Sequence, residues 1–263
     1  MPTDRPFSVV KIGGALAQKP EALADLWRGV SELSRSHAVV VVHGAGPQMT
    51  AHARILGHEP TIVAGRRVTG DIDLRIATHV LAGEVNATVT ASGVGAGVAA
   101  VGMAALSGST VVATRRPPVE VDGETVDFGH VGDLASVNIG LLKLLAGAFV
   151  PVVSSLCADT SGNLLNVNAD TVAGELARAL NADRLLLVTE AGGIRAKADD
   201  PTSRVPVLNG AAFRAGVAAG WITDGMRVKG DVGFAALQSG VASVSICAPA
   251  DIGRFDAGTR LAA

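Results

Sequence analysis

The chain has 263 residues, 22 of them Lys or Arg and 24 Asp or Glu, giving a formal net charge of -2 with only 17% of residues charged. That balance excludes a basic nucleic-acid footprint, and 3% aromatics without a single tyrosine exclude a stacking platform for single strands. With 48% hydrophobic residues and 32 glycines the chain can bury a large aliphatic core, as one big domain or two lobes.

Two cysteines, Cys157 and Cys247, each beside an apolar run, read as small buried hydrophobes rather than a disulfide framework or a zinc site. The N-terminus lacks the apolar stretch of a signal peptide, and no later uncharged run is long enough for a membrane helix. A cytoplasmic protein with no membrane and no nucleic-acid partner is expected.

In chain order, β-branched runs alternate with helical patterns, the signature of an α/β fold with a mainly parallel sheet. FSVVKI at 7–12 reads as a strand ending in Gly13-Gly14. Leu23, Leu26, Val30 and Leu33 recur at spacings of three and four, which predicts a helix over 20–35. The run AVVVV at 38–42 suits a strand covered on both faces, and it ends in His43-Gly44-Ala45-Gly46-Pro47, with Pro47 fit for the first residue of a helix. A hairpin turning at Ala64-Gly65 spans 59–68, and 71–91 is helical in pattern. Strand-like pieces at 98–103, 110–115 and 124–127 suggest a small antiparallel patch, followed by a helix over 134–146 and a strand over 149–154.

The last third repeats the rhythm. Leu164-Leu165 is a short strand, and Asn168 can cap a helix running to about Asn181. A strand at 184–188 leads into Ala191-Gly192-Gly193 and a polar loop over 195–206. Helices near 209–219 and 226–239 precede a final strand at 242–246. The turn cluster DTSGN marks the boundary between lobes 1–162 and 163–263.

Three glycine-bearing turns follow strands, at Gly13-Gly14, Gly44-Ala45-Gly46 and Gly192-Gly193, where an open parallel sheet binds anions on backbone N–H groups. Lys11 sits inside an apolar strand just before the first of them, where it either snorkels from an edge or neutralises a phosphate. Lys229, placed in the first turn of the helix after Ile222-Thr223-Asp224-Gly225-Met226, is either a solvated lysine or a second phosphate ligand. Asp170 could simply complement a helix dipole; if the three converge, its carboxylate orients both lysines around a transferring phosphoryl group. Of Arg66 and Arg67, one is expected to be a surface residue and the other the bidentate partner of a carboxylate. His43 reads as a buried structural histidine and His130 as a loop residue; neither the nucleophile elbow nor the Walker A pattern occurs.

Taken together, VVKIGGAL, VVVVHGAGPQM, GRRVT, VLAGEVN, GHVGD, PVVSSL, NLLNVNAD, LLLVTEAGGI and WITDGMRVK resemble the amino-acid kinase superfamily, in its order and over nearly the whole chain. The resemblance implies a three-layer αβα sandwich whose two lobes share one mainly parallel sheet. The 1–162 lobe would bind the amino-acid substrate and dimerise, and the 163–263 lobe would bind nucleotide. It is closest to the branch whose acceptor is N-acetyl-L-glutamate, phosphorylated by ATP on its γ-carboxylate in arginine biosynthesis. Carried over, Lys11 and Lys229 would stabilise the transferring phosphoryl group and Asp170 would hold both lysines. Gly14, Gly44, Ala45, Gly46, Arg67, Asn166 and Asn168 would bind the acid, Arg67 on its α-carboxylate and Asn166 on its acetamido end. Gly13, Thr189, Glu190, Gly192, Gly193, Ile194, Trp221, Ile222, Thr223 and Met226 would line the nucleotide. Mg2+ would be held mainly by ATP phosphates and water, with no protein metal site.

The chain departs from the pattern in three places. Ala45 replaces a glycine, Glu190 replaces an aspartate, and 104–109 lacks an acidic residue. A kinase acting on carrier-linked 2-aminoadipate, a nicotinamide oxidoreductase and a non-catalytic sensor are the competing readings. The near-neutral charge, the missing third glycine, and the retained Lys11, Asp170 and Lys229 argue against them in turn. A first strand beginning by residue 7 leaves no room for the extra N-terminal helix of arginine-inhibited hexameric relatives, so a homodimer insensitive to arginine is expected.

Overall fold

A computed structural model of the chain describes residues 4–197, 199–254 and 257–262, with only the backbone of Asp224; Ala198, in the expected 195–206 loop, lies outside the described residues. Eight strands form one sheet, in the spatial order Val207–Asn209, Thr259–Ala262, Ser243–Cys247, Arg184–Val188, Phe7–Ile12, Ala38–His43, Val150–Ser154 and Ala100–Ala104. The six from Ser243–Cys247 onward are parallel, while Thr259–Ala262 pairs antiparallel to its neighbour and Val207–Asn209 follows it. Phe7–Ile12, Ala38–His43 and Val150–Ser154 are buried along their whole length, which is why they are continuous apolar runs rather than alternating ones.

Successive side chains on these strands supply two different cores. Val9, Val40 and Val42 join the cluster that contains Val172 and Leu176 of the helix Ala169–Ala179. Val10, Val39 and Val41 join Leu23, Leu26 and Trp27 of the helix Pro20–Leu33 on the opposite face, together with Val80 and Val89 from the long helix over 71–95. That long helix widens to π-helical geometry over Ala77–Val85. The result is a three-layer sandwich.

The two halves of the chain meet at one seam. Strands before residue 155 occupy one side of the sheet and strands after residue 183 the other, with Ser8 through Ile12 in register with Arg184 through Val188. The order in which the chain adds strands reverses here, which makes the seam a switch point of the sheet. Open α/β sheets bind ligands at such points, beyond the carboxyl ends of their strands.

Several expected elements differ. The helix expected over 134–146 is a strand, Gly132–Val137, paired antiparallel with Val111–Arg115, followed by the short helix Gly140–Leu145. Leu134 and Val137 have helical spacing with Leu141 and Leu145, but pairing with a neighbouring strand overrides so weak a local pattern. The expected single antiparallel patch is three separate structures. Ala100–Ala104 is a parallel edge strand of the main sheet. Val111–Arg115 belongs to a four-stranded sheet with Gly132–Val137, Leu156–Ala158 and Leu164–Asn166. Glu124–Val126 makes a hairpin with Val119–Val121. Residues 159–163 are the tip of the hairpin joining Leu156–Ala158 to Leu164–Asn166, where the Asp159 carboxylate accepts from the N–H groups of Ser161 and Asn163. The reversed strands Val207–Asn209 and Thr259–Ala262, three and four residues long, were too short to stand out from the pattern.

Candidate active site

The parity of the first strand decides where Lys11 points. Phe7, Val9 and Lys11 alternate onto the face covered by the helix Ala169–Ala179, and the first turn of that helix carries Asp170. Asn168 sets the helix start: its side-chain oxygen accepts from the N–H groups of Asp170 at 2.8 Å and Thr171 at 3.2 Å. Lys11 Nζ then lies 2.9 Å from Asp170 Oδ1, and Lys229 Nζ lies 3.6 Å from Asp170 Oδ2. Lys229 is the sixth residue of the helix Asp224–Gln238, one turn deeper than expected, and its Nζ donates to the Gly225 carbonyl.

Lys11 and Asp170 are 5% and 6% exposed. Burial lowers the Lys11 pKa, Asp170 opposes that by raising it, and the charge of Lys229 lowers it further. Two ammonium groups around one carboxylate leave this trio one positive charge in excess. Such a group is costly away from water and is relieved by a bound anion.

The first two glycine turns press against each other at the ends of neighbouring strands. A Cβ on Gly14 would stand 2.6 Å from Gln48 Oε1 and 2.9 Å from Ala45 Cα, so the approach requires glycine. Gln48 ties the turns together by donating from Nε2 to the Gly14 carbonyl at 2.7 Å. By contrast, a Cβ on Gly13 or Gly46 would meet nothing within 4 Å, so these backbones face open space. Pro47 is the second residue, not the first, of the helix Gly46–Ile55. Ala45 has φ -146° and ψ 29°, so its methyl causes no left-handed strain. Ala45 is buried in the core cluster that contains Met49 and Ala53.

Arg67 lies on the hairpin of Ile62–Val63 and Arg66–Arg67, turned by Ala64 and Gly65 at φ 46° and 73°. Its guanidinium is preorganised by two partners, Asp73 Oδ1 at 3.0 Å and Thr50 Oγ1 at 2.5 Å. His58 Nε2 holds the other oxygen of Asp73 at 3.0 Å, and Asp73 is buried. Arg66 is exposed, as one of the two arginines had to be. Asn166 donates to Thr69 Oγ1, and its N–H donates to the His130 carbonyl, while the His130 N–H reaches the Thr69 carbonyl. The 128–131 loop thus stitches the Asn166 strand to Thr69, two residues after Arg67.

On the other side of the seam, Thr189 follows Val188, the partner of Ile12, and its N–H donates to the Cys247 carbonyl. Gly192 and Gly193 have φ 68° and 149°, conformations an ordinary side chain resists. Ile194 is buried, and its N–H donates to Thr259 Oγ1 at 2.8 Å. Glu190 is half-exposed and pairs with Lys19 across the seam at 3.2 Å. Trp221 and Ile222 pack on Gly216, Thr223 caps the Asp224–Gln238 helix through its backbone, and Met226 is partly buried one turn before Lys229. The direct contacts therefore join Lys11, Asp170 and Lys229, and separately Gly14, Ala45 and Gln48. Arg67 stands in its own network.

Sequence reasoning missed Asp73, Thr50, Gln48 and Asn86. Each bonds to a partner at least 17 residues away except Asp73, which lies six residues from Arg67 in an acidic helix start.

The chain belongs to the amino acid kinase family, whose model matches residues 6–248. Within that class it is similar to the acetylglutamate kinases. It is 41% identical over 262 residues to the acetylglutamate kinase of Anaeromyxobacter dehalogenans (strain 2CP-C), covering 97% of this chain and 94% of that one. With the acetylglutamate kinase of Sorangium cellulosum (strain So ce56) it shares 41% over 254 residues, covering 94% and 89%. The N-acetylglutamate synthase of Neisseria gonorrhoeae, solved with coenzyme A and N-acetyl-glutamate, shares the fold at a TM-score of 0.81 and 24% identity, over 98% of this chain and 59% of that longer one.

Proposed function

We propose that this enzyme transfers the γ-phosphoryl group of ATP to the γ-carboxylate of N-acetyl-L-glutamate, forming N-acetyl-L-glutamyl 5-phosphate and ADP in arginine biosynthesis. The observation that carries the reading is the Lys11–Asp170–Lys229 trio at the seam, with Lys11 and Asp170 buried, in a chain that matches acetylglutamate kinases nearly end to end. A carboxylate is already ionised at neutral pH, so the reaction needs no general base; positioning and neutralisation of charge supply the rate.

The open backbones of Gly13 and Gly46 and the excess positive charge of the trio fit a phosphoryl group. Lys11 and Lys229 stabilise the charge that develops on it, and Asp170 keeps both ammonium groups aimed. Gly14, Gly44, Ala45 and Gly46 cradle the acid, Arg67 takes its α-carboxylate with the donors that Asp73 and Thr50 leave free, and Asn166 and Asn168 meet its acetamido end. ATP lies along Gly13, Thr189, Glu190 and Gly192 through Ile194, with Trp221 through Thr223 and Met226 on its other side. Asp170 is already paired with both lysines, so Mg2+ belongs on the ATP phosphates and water.

Residues 1–162 form the acid-binding half and 163–263 the nucleotide half in this reading, supported by the division of the sheet at the seam. A homodimer pairs two copies through the acid-binding half. Its support is the edge strand Ala100–Ala104 beside the helix face of Ala87, Ala91 and the exposed Val94, and the mass in solution reads it directly. Cytoplasm is the proposed location. No helix among the described residues is long and apolar enough to cross a membrane, and burial pushes both cysteine thiols up to about 12, which keeps them inert.

A coupled ADP-release assay comparing N-acetylglutamate, glutamate, aspartate and carrier-linked 2-aminoadipate tests the substrate. Turnover is expected with the first and is expected to be unchanged by added arginine. Activity confined to any of the other acids overturns the assignment.

A further inference from the structure

Behind the Gly44–Gly46 turn a buried amide settles the state of a histidine. His43 closes the strand Ala38–His43 and is fully buried; Asn86, 7% exposed, is the first residue after the π-helical segment. Asn86 Nδ2 lies 2.9 Å from the Val152 carbonyl oxygen, 3.3 Å from that of Met103, and 2.9 Å from His43 Nε2. Two of the three are carbonyls, which can only accept. The nitrogen of the amide, not its oxygen, must therefore face them.

The amide has two hydrogens for these three acceptors, so they are shared. Because Nδ2 cannot accept, it would face an N–H on His43 Nε2 donor to donor. That nitrogen has to be the bare one, and the ring proton sits on Nδ1, 3.4 Å from the Gly44 carbonyl oxygen. Burial pushes the ring pKa down to about 4, and the charge of Lys11 on the neighbouring strand works in the same direction. Gly102 on the edge strand keeps the space for the amide clear: a Cβ there would stand 2.4 Å from Asn86 Oδ1. The extra backbone residue per turn in a π-helical segment re-aims the side chains that follow it, and such segments concentrate at functional sites.

We propose that Asn86 is a positioning residue for phosphoryl transfer: it locks His43 as the neutral Nδ1–H tautomer, and His43 in turn holds the Gly44 carbonyl and the glycine turn behind the transferred group. This rests on the phosphotransferase reading above. The neutral ring has a second consequence. A protonated His43 would set a further cation near Lys11 and would face the Asn86 amide donor to donor.

Two readouts on the full chain test it: nitrogen NMR of histidine-labelled protein between pH 5 and 8, and ADP release. One imidazole, identified by its loss in His43→Gln, is expected to be an Nδ1–H tautomer that does not titrate over this range. In Asn86→Ala that signature is lost and turnover falls at least about tenfold, with the KM for ATP within about twofold. Asn86→Asp keeps the shape but offers acceptors, and is expected to move the proton to Nε2 with a similar loss; it replaces the alanine variant should that one not fold. An Nε2–H tautomer in the wild type, or full turnover in both variants, overturns the proposal. Wild type inactive on every acid while the tautomer is as expected brings down the phosphotransferase reading, and the positioning role with it.

Discussion

The two ends of the candidate site, which the proposed function gives to the phosphoryl group and to the acid, carry charge in opposite ways. Lys11, Asp170 and Lys229 are brought together from three elements and set two ammonium groups, one buried and one partly buried, around one buried carboxylate. Arg67, on the hairpin, and Asp73, on the helix Asp71–Ile76, form a balanced and largely buried pair, braced by Thr50 and by His58. On the proposed reading, the end where charge develops carries one cation in excess, and the end that holds a stable anion preorganises one arginine and leaves spare donors.

The comparison is broken most forcefully at the phosphoryl end. Lys229→Ala is expected to slow ADP release by about 10²–10³-fold, the cost of removing one preorganised stabilising group, while leaving the melting temperature close to wild type. A rate within about threefold of wild type would remove Lys229 from the transfer step.

Next in size is the acid limb of stability. His43 has its pKa lowered from 6.5 to about 4 in the folded protein, so the unfolded chain binds a proton that the native one refuses. The sign follows: stability is intact above about pH 6.5 and falls as pH drops towards 4, by about 3 kcal/mol from this group. Urea unfolding at pH 7 and pH 4.5 measures the loss, and His43→Gln should flatten it; an equally steep pH dependence in that variant assigns the loss to other groups.

The smallest effect belongs to the grip. Asp73→Asn keeps the shape but weakens the hold on Arg67, and is expected to raise the KM for the acid by about tenfold, worth about 1.4 kcal/mol, with little change in kcat. A fall in kcat at unchanged KM would place Arg67 in the chemistry instead, and the contrast between the two ends would be lost.

Much of the site was legible because its residues break local rules. A lysine inside FSVVKI is anomalous on any sheet, and NVNAD advertises both a cap and a first-turn acid. The networks around them were not legible. Asn86 looks like any polar residue in a helix until Val152 and Met103 arrive from two other strands, and Gln48 looks like a surface residue until Gly14 comes within reach. The strand Gly132–Val137 failed as a helix for the same reason, since its partner Val111–Arg115 is what stabilises it.

The sequence by itself determined the αβ rhythm, the continuous apolar strands, the three glycine turns and the identity of the charged trio, because these are set by local propensity, burial pattern and backbone freedom. Only the tertiary structure decided that Lys11 shares a face with Asp170, that Ala45 turns its methyl into the core, and that an asparagine fixes the proton on His43. Those are questions of distance between elements far apart in the chain, and a one-dimensional pattern carries no distances.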